Sequence, residues 1–117
     1  SGANRLRAAG EGGGGVAVAT ISLDELCETE RLAPRLVKVD VEGAELAVLR
    51  GARETIRRQG DRMALFVELH PTVWKEMGIG RGEVAEEIRR QGLRCVPLRP
   101  GADPWALEGE CVRLLHG

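Results

Sequence analysis

The chain has 117 residues, 17 of them basic and 18 acidic, a formal net charge of −1 and 43% hydrophobic residues. That is enough for one domain with one core. The even charge balance, with no strong basic run, excludes a general electrostatic nucleic-acid binder, and no apolar stretch is long enough to span a membrane, so a soluble, cytoplasmic protein is expected.

The aromatic residues are Phe66, Trp74 and Trp105, too few for a stacking platform on single-stranded nucleic acid. Cys27, Cys95 and Cys111 are far apart and show no CxxC or Cys/His ligand spacing. Reduced structural thiols are expected, without a structural zinc.

Residues 1–15 are rich in glycine and alanine and are expected to form a flexible lead-in, with a short helix near Asn4–Ala9. Gly10–Gly15 matches GxGxxG by letter, but no strand precedes it and a strand follows, so it is read as a linker. VAVAT (16–20) is a short β-branched strand. Ser22-Leu23-Asp24-Glu25 fits a capping box that starts a helix ending near Cys27–Arg31. LVKVDV (36–41) is a nearly continuous apolar run, as expected for a strand covered on both faces. Gly43 loosens the turn after it. A single helix to about Gln59 follows, with Val48, Leu49, Ala52 and Ile56 as its inward stripe and Glu45 on that stripe at its start.

MALFVEL (63–69) is the next buried strand, stopped by Pro71, with a short helix around Thr72–Met77. After the loop Gly78–Gly82, a helix turns Val84, Ala85 and Ile88 inward and stops at Gly92. LRCVPL (93–98) is a strand whose Pro97 suits an edge. A Pro/Gly loop leads to a final strand, ECVRLLH (110–116). Alternating strands and helices predict a mostly parallel sheet with right-handed crossovers, in one domain over 16–117. The last two strands lack a helix between them and should be antiparallel.

Alternation places Lys38 and Asp40 on one strand face, and Glu68 and His70 on one face of the next. Parallel strands end at a common carboxyl edge, where open α/β sheets bind ligands. Asp40, Glu42, Glu68 and His70 should therefore meet on one rim, with Lys38 a step deeper. Such charges are costly to hold together unless paired or met by a ligand, metal or water. Simpler roles stand beside this one. Lys38 pairs with Glu68 or Asp40. Glu45 satisfies backbone donors at the helix start. Asp40 is a turn residue, and Glu42 faces water. His70, with an ordinary pKa of about 6.5, is either a general base or a structural histidine. Trp74 and Trp105 line an acceptor pocket or anchor the core.

TISLDEL (20–26), LVKVDVEGAELAVLRGA (36–52) and LFVELHP (65–71) resemble the later half of FkbM-like methyltransferases, with Lys-x-Asp-x-Glu-Gly-x-Glu met at Lys38, Asp40, Glu42, Gly43 and Glu45. The resemblance covers roughly residues 18–98. It implies the C-terminal half of a Rossmann-like class I methyltransferase sheet, strands three to seven, mostly parallel with an antiparallel last strand. It also implies S-adenosylmethionine-dependent O-methyl transfer to a hydroxyl of a small metabolite or sugar. By the same likeness Asp40 ends the fourth strand beside the methyl-transfer centre and the cofactor, and Glu68 and His70 end the fifth. Asp24 lies where the adenine is held, or serves as a first-turn helix residue. His70 would remove the hydroxyl proton, and Asp40 or Glu42 would orient the hydroxyl or hold a divalent ion. No ligand spacing demands a metal.

The first strands and glycine-rich turn of that fold have no counterpart upstream of VAVAT, and GIGRG (78–82) comes after the fifth strand. The chain is thus expected to be a piece of a methyltransferase that binds the cofactor weakly or not at all alone. Without its neighbours the LVKVDV strand has a bare edge, open to a homodimer, a swapped assembly or VAVAT itself. The alternative function is a non-catalytic interaction module using that edge. A receiver-like domain would need an acidic pair that Asp40 lacks.

Overall fold

The structure is a computed structural model that describes residues 6–8 and 17–117, with side chains from residue 20. Two short strands, β1 (Leu6–Ala8) and β2 (Ala17–Ala19), pair antiparallel in a sheet of their own. The helix expected near Asn4–Ala9 is therefore a strand over Leu6–Ala8. Ala17–Ala19 of VAVAT pairs with that strand and not with LVKVDV. The GxGxxG-like letters and the rest of the lead-in lie outside the described residues.

The remaining elements are α1 (Leu23–Glu30), β3 (Leu36–Val39), α2 (Glu45–Arg50), α3 (Arg53–Gln59), a 3-10 turn (Gly60–Arg62), β4 (Ala64–Leu69), α4 (Pro71–Glu76), α5 (Arg81–Arg90), β5 (Leu93–Pro97) and β6 (Glu110–His116). They build a mixed α/β fold around a four-stranded sheet ordered β3-β4-β6-β5. β3 and β4 are parallel, and β6 enters antiparallel between β4 and β5. β5, which carries Pro97, lies at the edge, where a residue with no N–H to donate is tolerated.

The period of two along β4 sets the layers. Leu65, Val67 and Leu69 are buried, while Ala64, Phe66 and Glu68 are only partly covered. Val39, Val112 and Leu114 join the buried face, and Leu46, Leu49, Ala52, Ile56, Val84 and Ile88 of the helices pack on it as one cluster. The opposite face is more open. Leu36 is 67% exposed, and the Arg113 guanidinium lies 5.7 Å from the Phe66 ring centroid. β3 is thus covered on one face rather than two, and it is an edge strand among the described residues.

The helix expected to run unbroken to Gln59 is two helices, interrupted at Gly51-Ala52. The break lets α1 dock. A Cβ on Gly51 would sit 2.9 Å from the Ser22 Cβ, so only glycine allows this approach. The Asp24 N–H donates to the Gly51 carbonyl at 2.9 Å. Its carboxylate accepts from the backbone N–H of Glu54 at 3.0 Å and of Thr55 at 2.7 Å, and from the Thr55 hydroxyl at 2.7 Å. Asp24 therefore caps α3 from another helix, satisfying donors that the first turn leaves unpaired. Ser22 caps α1 as its sequence predicts, accepting from the Glu25 N–H at 3.1 Å.

α5 differs from its predicted face. Ala85 is exposed and Glu87 is buried. A charged side chain takes the inward position because Arg53 of α3 meets it with two hydrogen bonds, at 2.7 and 2.5 Å, and Gln91 adds one at 2.6 Å. The bond from Arg53, stronger than the opposing effect of burial, holds the Glu87 pKa below its ordinary value.

An Arg53→Ala substitution leaves that carboxylate short of its best partner and should cost about 1–3 kcal/mol. Because the folded Glu87 pKa is depressed, this contribution is present above about 4.5 and is lost as pH falls through the folded value. Urea midpoints of both proteins across acid pH check it; equal midpoints at neutral pH would refute the tie. Asp24→Ala should cost about 1–2 kcal/mol through loss of the α3 cap, read from the same denaturation curves.

Candidate active site

The two parallel strands deliver their charged ends to one place. Lys38 of β3 stands beside Phe66 of β4 in the pairing, one residue before the end of the strand. Its ammonium meets the Glu68 carboxylate at 3.3 Å, which raises the Lys38 pKa through that hydrogen bond. His70 is the N-cap of α4, with Pro71 as the first helical residue. Proline fits there because an N–H at that position would go unpaired, and it biases His70 toward extended backbone.

One oxygen each from Asp40 and Glu68 and one nitrogen from His70 lie within 4.8 Å of one another. Asp40 is exposed, Glu68 is half-buried and His70 is buried. The His70 Nε2 lies 3.7 Å from a Glu68 oxygen. Glu42 is exposed and falls outside this group, in the turn that ends at Ala44. Asp24 is also outside it, its carboxylate held by α3. That capping duty accounts for Asp24 without a ligand.

Beneath the rim is Glu45, whose burial the sequence reading explains differently. Its side chain is fully buried. Instead of capping backbone donors, it shares its two oxygens between side chains from two other parts of the chain. One accepts from the Trp74 indole N–H at 2.8 Å, and the other contacts the His70 Nδ1. The available signal was an acidic residue on an apolar helical stripe, which demands a buried partner. Which partner it finds depends on how the segment after β4 meets the start of α2. Trp74 is itself fully buried, and Trp105 stacks near it with centroids 6.0 Å apart at 52°.

The electrostatics follow. Burial alone would lower the His70 pKa, but the hydrogen bond and charge of Glu45, aided by Glu108 and Glu68, outweigh it and raise the value above 6.5. Cys111, opposite Glu68 on β6, has a raised pKa, first from burial and then from Glu68 and Asp40, against the pull of Lys38. Burial pushes Cys95 up to about 11. All three cysteines are free thiols, and neither raised pKa favours a reactive thiolate.

Chemically, this arrangement offers an imidazole nitrogen close to two carboxylates, suited to taking a proton from a hydroxyl that the carboxylates orient. The same three residues are a donor set for a divalent cation, although Lys38 already pairs with Glu68 and would have to yield. Beside the turn, Gly43 and Ala44 border a groove of about 730 Å³, with Leu23, Leu26, Leu46 and Met77 among its walls. Among the described residues no helix is long and apolar enough to cross a membrane.

Compared with known proteins, residues 1–95 match the family described as the methyltransferase FkbM domain. The match starts upstream of the similarity carried by the quoted motifs and takes in the expected lead-in. No curated protein and no solved structure gives a significant match.

Because the folded His70 pKa is raised, its ionic contact with Glu45 stabilises the fold fully below about pH 6.5 and is lost as pH rises through the folded value. The stability difference between the wild type and His70→Asn should therefore shrink from mildly acid to alkaline pH. Urea midpoints measured across that range test this, and a difference independent of pH would contradict it.

Proposed function

The chain belongs to the FkbM methyltransferase domain family, and from that premise we propose that its rim serves S-adenosylmethionine-dependent O-methyl transfer to a hydroxyl of a small metabolite or sugar. The supporting observation is the approach of Asp40, Glu68 and His70 to within 4.8 Å at the carboxyl edge of two parallel strands. On this reading β3, β4, β5 and β6 correspond to strands four to seven of a Rossmann-like sheet.

When bound, S-adenosylmethionine supplies an electrophilic methyl on a sulfonium. The residues present fit the reacting end of such a group. Asp40 and Glu68 are carboxylates beside a place where positive charge would be held, and His70 is a base. They do not supply the nucleotide cradle. Gly43, in the turn after β3, is closed by the chain itself, since a Cβ there would meet the Met77 sulfur at 2.6 Å and Val73 at 2.7 Å.

The roles divide by exposure. Asp40, at the surface, and Glu68, half-buried, accept hydrogen bonds and orient the acceptor hydroxyl. His70, fixed from below, takes the proton at Nε2. Lys38 pairs with Glu68 and holds it in place. Glu42, exposed in the turn, contacts the acceptor from outside. A divalent cation held by Asp40, Glu68 and His70 would instead acidify the hydroxyl, and activity that requires added magnesium would identify that route.

A second reading, assembly through the sheet edge, is favoured by one observation. β3 is an edge strand whose Leu36 is 67% exposed. A concentration-dependent dimer in light scattering that is lost in Leu36→Lys would support it, and a monomer at all concentrations would remove it.

Calorimetric titration of S-adenosylmethionine and its demethylated product separates the readings. Into this chain, weak or no heat is expected; into a longer polypeptide carrying a glycine-rich turn, binding is expected. Binding to neither would overturn the methyl-transfer reading. In the binding form, His70→Ala should lower kcat by about 10²–10⁴-fold with cofactor affinity retained.

A further inference from the structure

We infer that Glu45 is the positioning residue of the site: pinned by Trp74, it fixes the tautomer and orientation of His70 so that Nε2 is the basic atom on the rim. The inference rests on the proposed function for its catalytic meaning, but its structural content stands without it.

The geometry leads there in steps. An ionised carboxylate only accepts hydrogen bonds. Glu45 has one oxygen held by the Trp74 N–H at 2.8 Å, so its other oxygen is aimed, not free to turn. That oxygen contacts the His70 Nδ1. Nδ1 must therefore carry the hydrogen, and in the neutral ring Nε2 is left bare. Nε2 lies 3.7 Å from a Glu68 oxygen, on the rim where Asp40, Glu68 and His70 meet. A buried carboxylate behind a histidine, with the second ring nitrogen directed at the reaction space, is the arrangement by which a histidine is made a better base.

Among the described residues, the charged groups that act on or approach His70 are acidic: Glu45 from α2, Glu68 from β4, Glu108 from the loop before β6, and Asp40 from the end of β3. Only Glu45 is fully buried and in direct contact with Nδ1. The rim carboxylates act through partly solvated space, where an isolated charge is screened. Glu45 is therefore the charged group with the strongest hold on this histidine. Trp74 acts one step further back. Its ring fills the core and its N–H keeps the Glu45 carboxylate from rotating away.

The test is nitrogen NMR of the two histidines of the chain, assigned with His116→Gln. At pH above the His70 titration, the hydrogen should be found on Nδ1 of His70. A hydrogen on Nε2 would overturn the inference in the wild type, whatever any variant does. Glu45→Gln should lower the His70 pKa, because the acceptor and charge behind Nδ1 are what raise it, and Trp74→Phe should lower it by less. An unchanged titration in a folded Glu45→Gln protein would also overturn it. In the cofactor-binding form, Glu45→Gln should move the acid limb of the kcat/KM pH profile down by the same amount as the NMR pKa. Failure of S-adenosylmethionine to bind either this chain or the longer polypeptide would refute methyl transfer and leave the NMR result to decide the role of Glu45.

Discussion

The buried carboxylate of Glu45 is the constraint around which the functional end of this protein is arranged. An ionised carboxylate at full burial costs several kcal/mol unless its oxygens are met by hydrogen-bond donors. Here one oxygen meets Trp74 and the other His70, so one side chain at the start of α2 fixes two on the segment after β4. Satisfying Glu45 brings α4 over the end of the sheet and sets the ring of His70 against the rim. The stability of this corner and the chemistry of the site thus have one physical origin. Replacing the carboxylate would disturb the imidazole before it disturbed the hydrophobic core.

The same solution recurs in the helical layer. Glu87 of α5 is buried and is met by Arg53, Gln91 and, more distantly, Arg50 at 3.9 Å. Asp24 of α1 is met by the first turn of α3. Three acidic side chains from three helices each cross to a different element. A small chain has limited apolar area to bury, and such polar crossings specify which elements meet. The break at Gly51-Ala52 follows from this. An unbroken helix would satisfy its own backbone, but it would leave no α3 N-terminus for Asp24 to cap and no close seat for Ser22.

The sheet places the rim. Parallel pairing of β3 and β4 puts Asp40 and His70 at the same end, and β6, inserted antiparallel, brings Cys111 opposite Glu68. One face carries the helices. The other keeps Lys38 and Glu68 partly in water, where an ion pair is cheap to form and orders the rim carboxylate without great strength. His70 lies between these regimes, with Nδ1 in the dry interior and Nε2 toward the wetter rim. That difference of environment across a single ring separates a histidine that structure holds from one that chemistry can use.

Much of this was legible in the residues. Apolar runs marked β3 and β4, Ser22 marked the start of α1, Pro97 marked an edge, and the KVDVEGAE block carried the family. The meeting of Asp40, Glu68 and His70 was expected from strand alternation together with parallel pairing of two successive strands, although Asp40 and His70 each stand one residue past the end of their strand. Partner choice was not legible. Glu45, Glu87 and Asp24 could be seen as acidic residues near helix starts or faces, where water or the local backbone could have satisfied them. The choice of His70, Arg53 and the α3 backbone instead was made by helix docking. A carboxylate leaves solvent only when packing closes over it, and the donor present at that moment is set by three-dimensional neighbours rather than by the residues beside it in the chain.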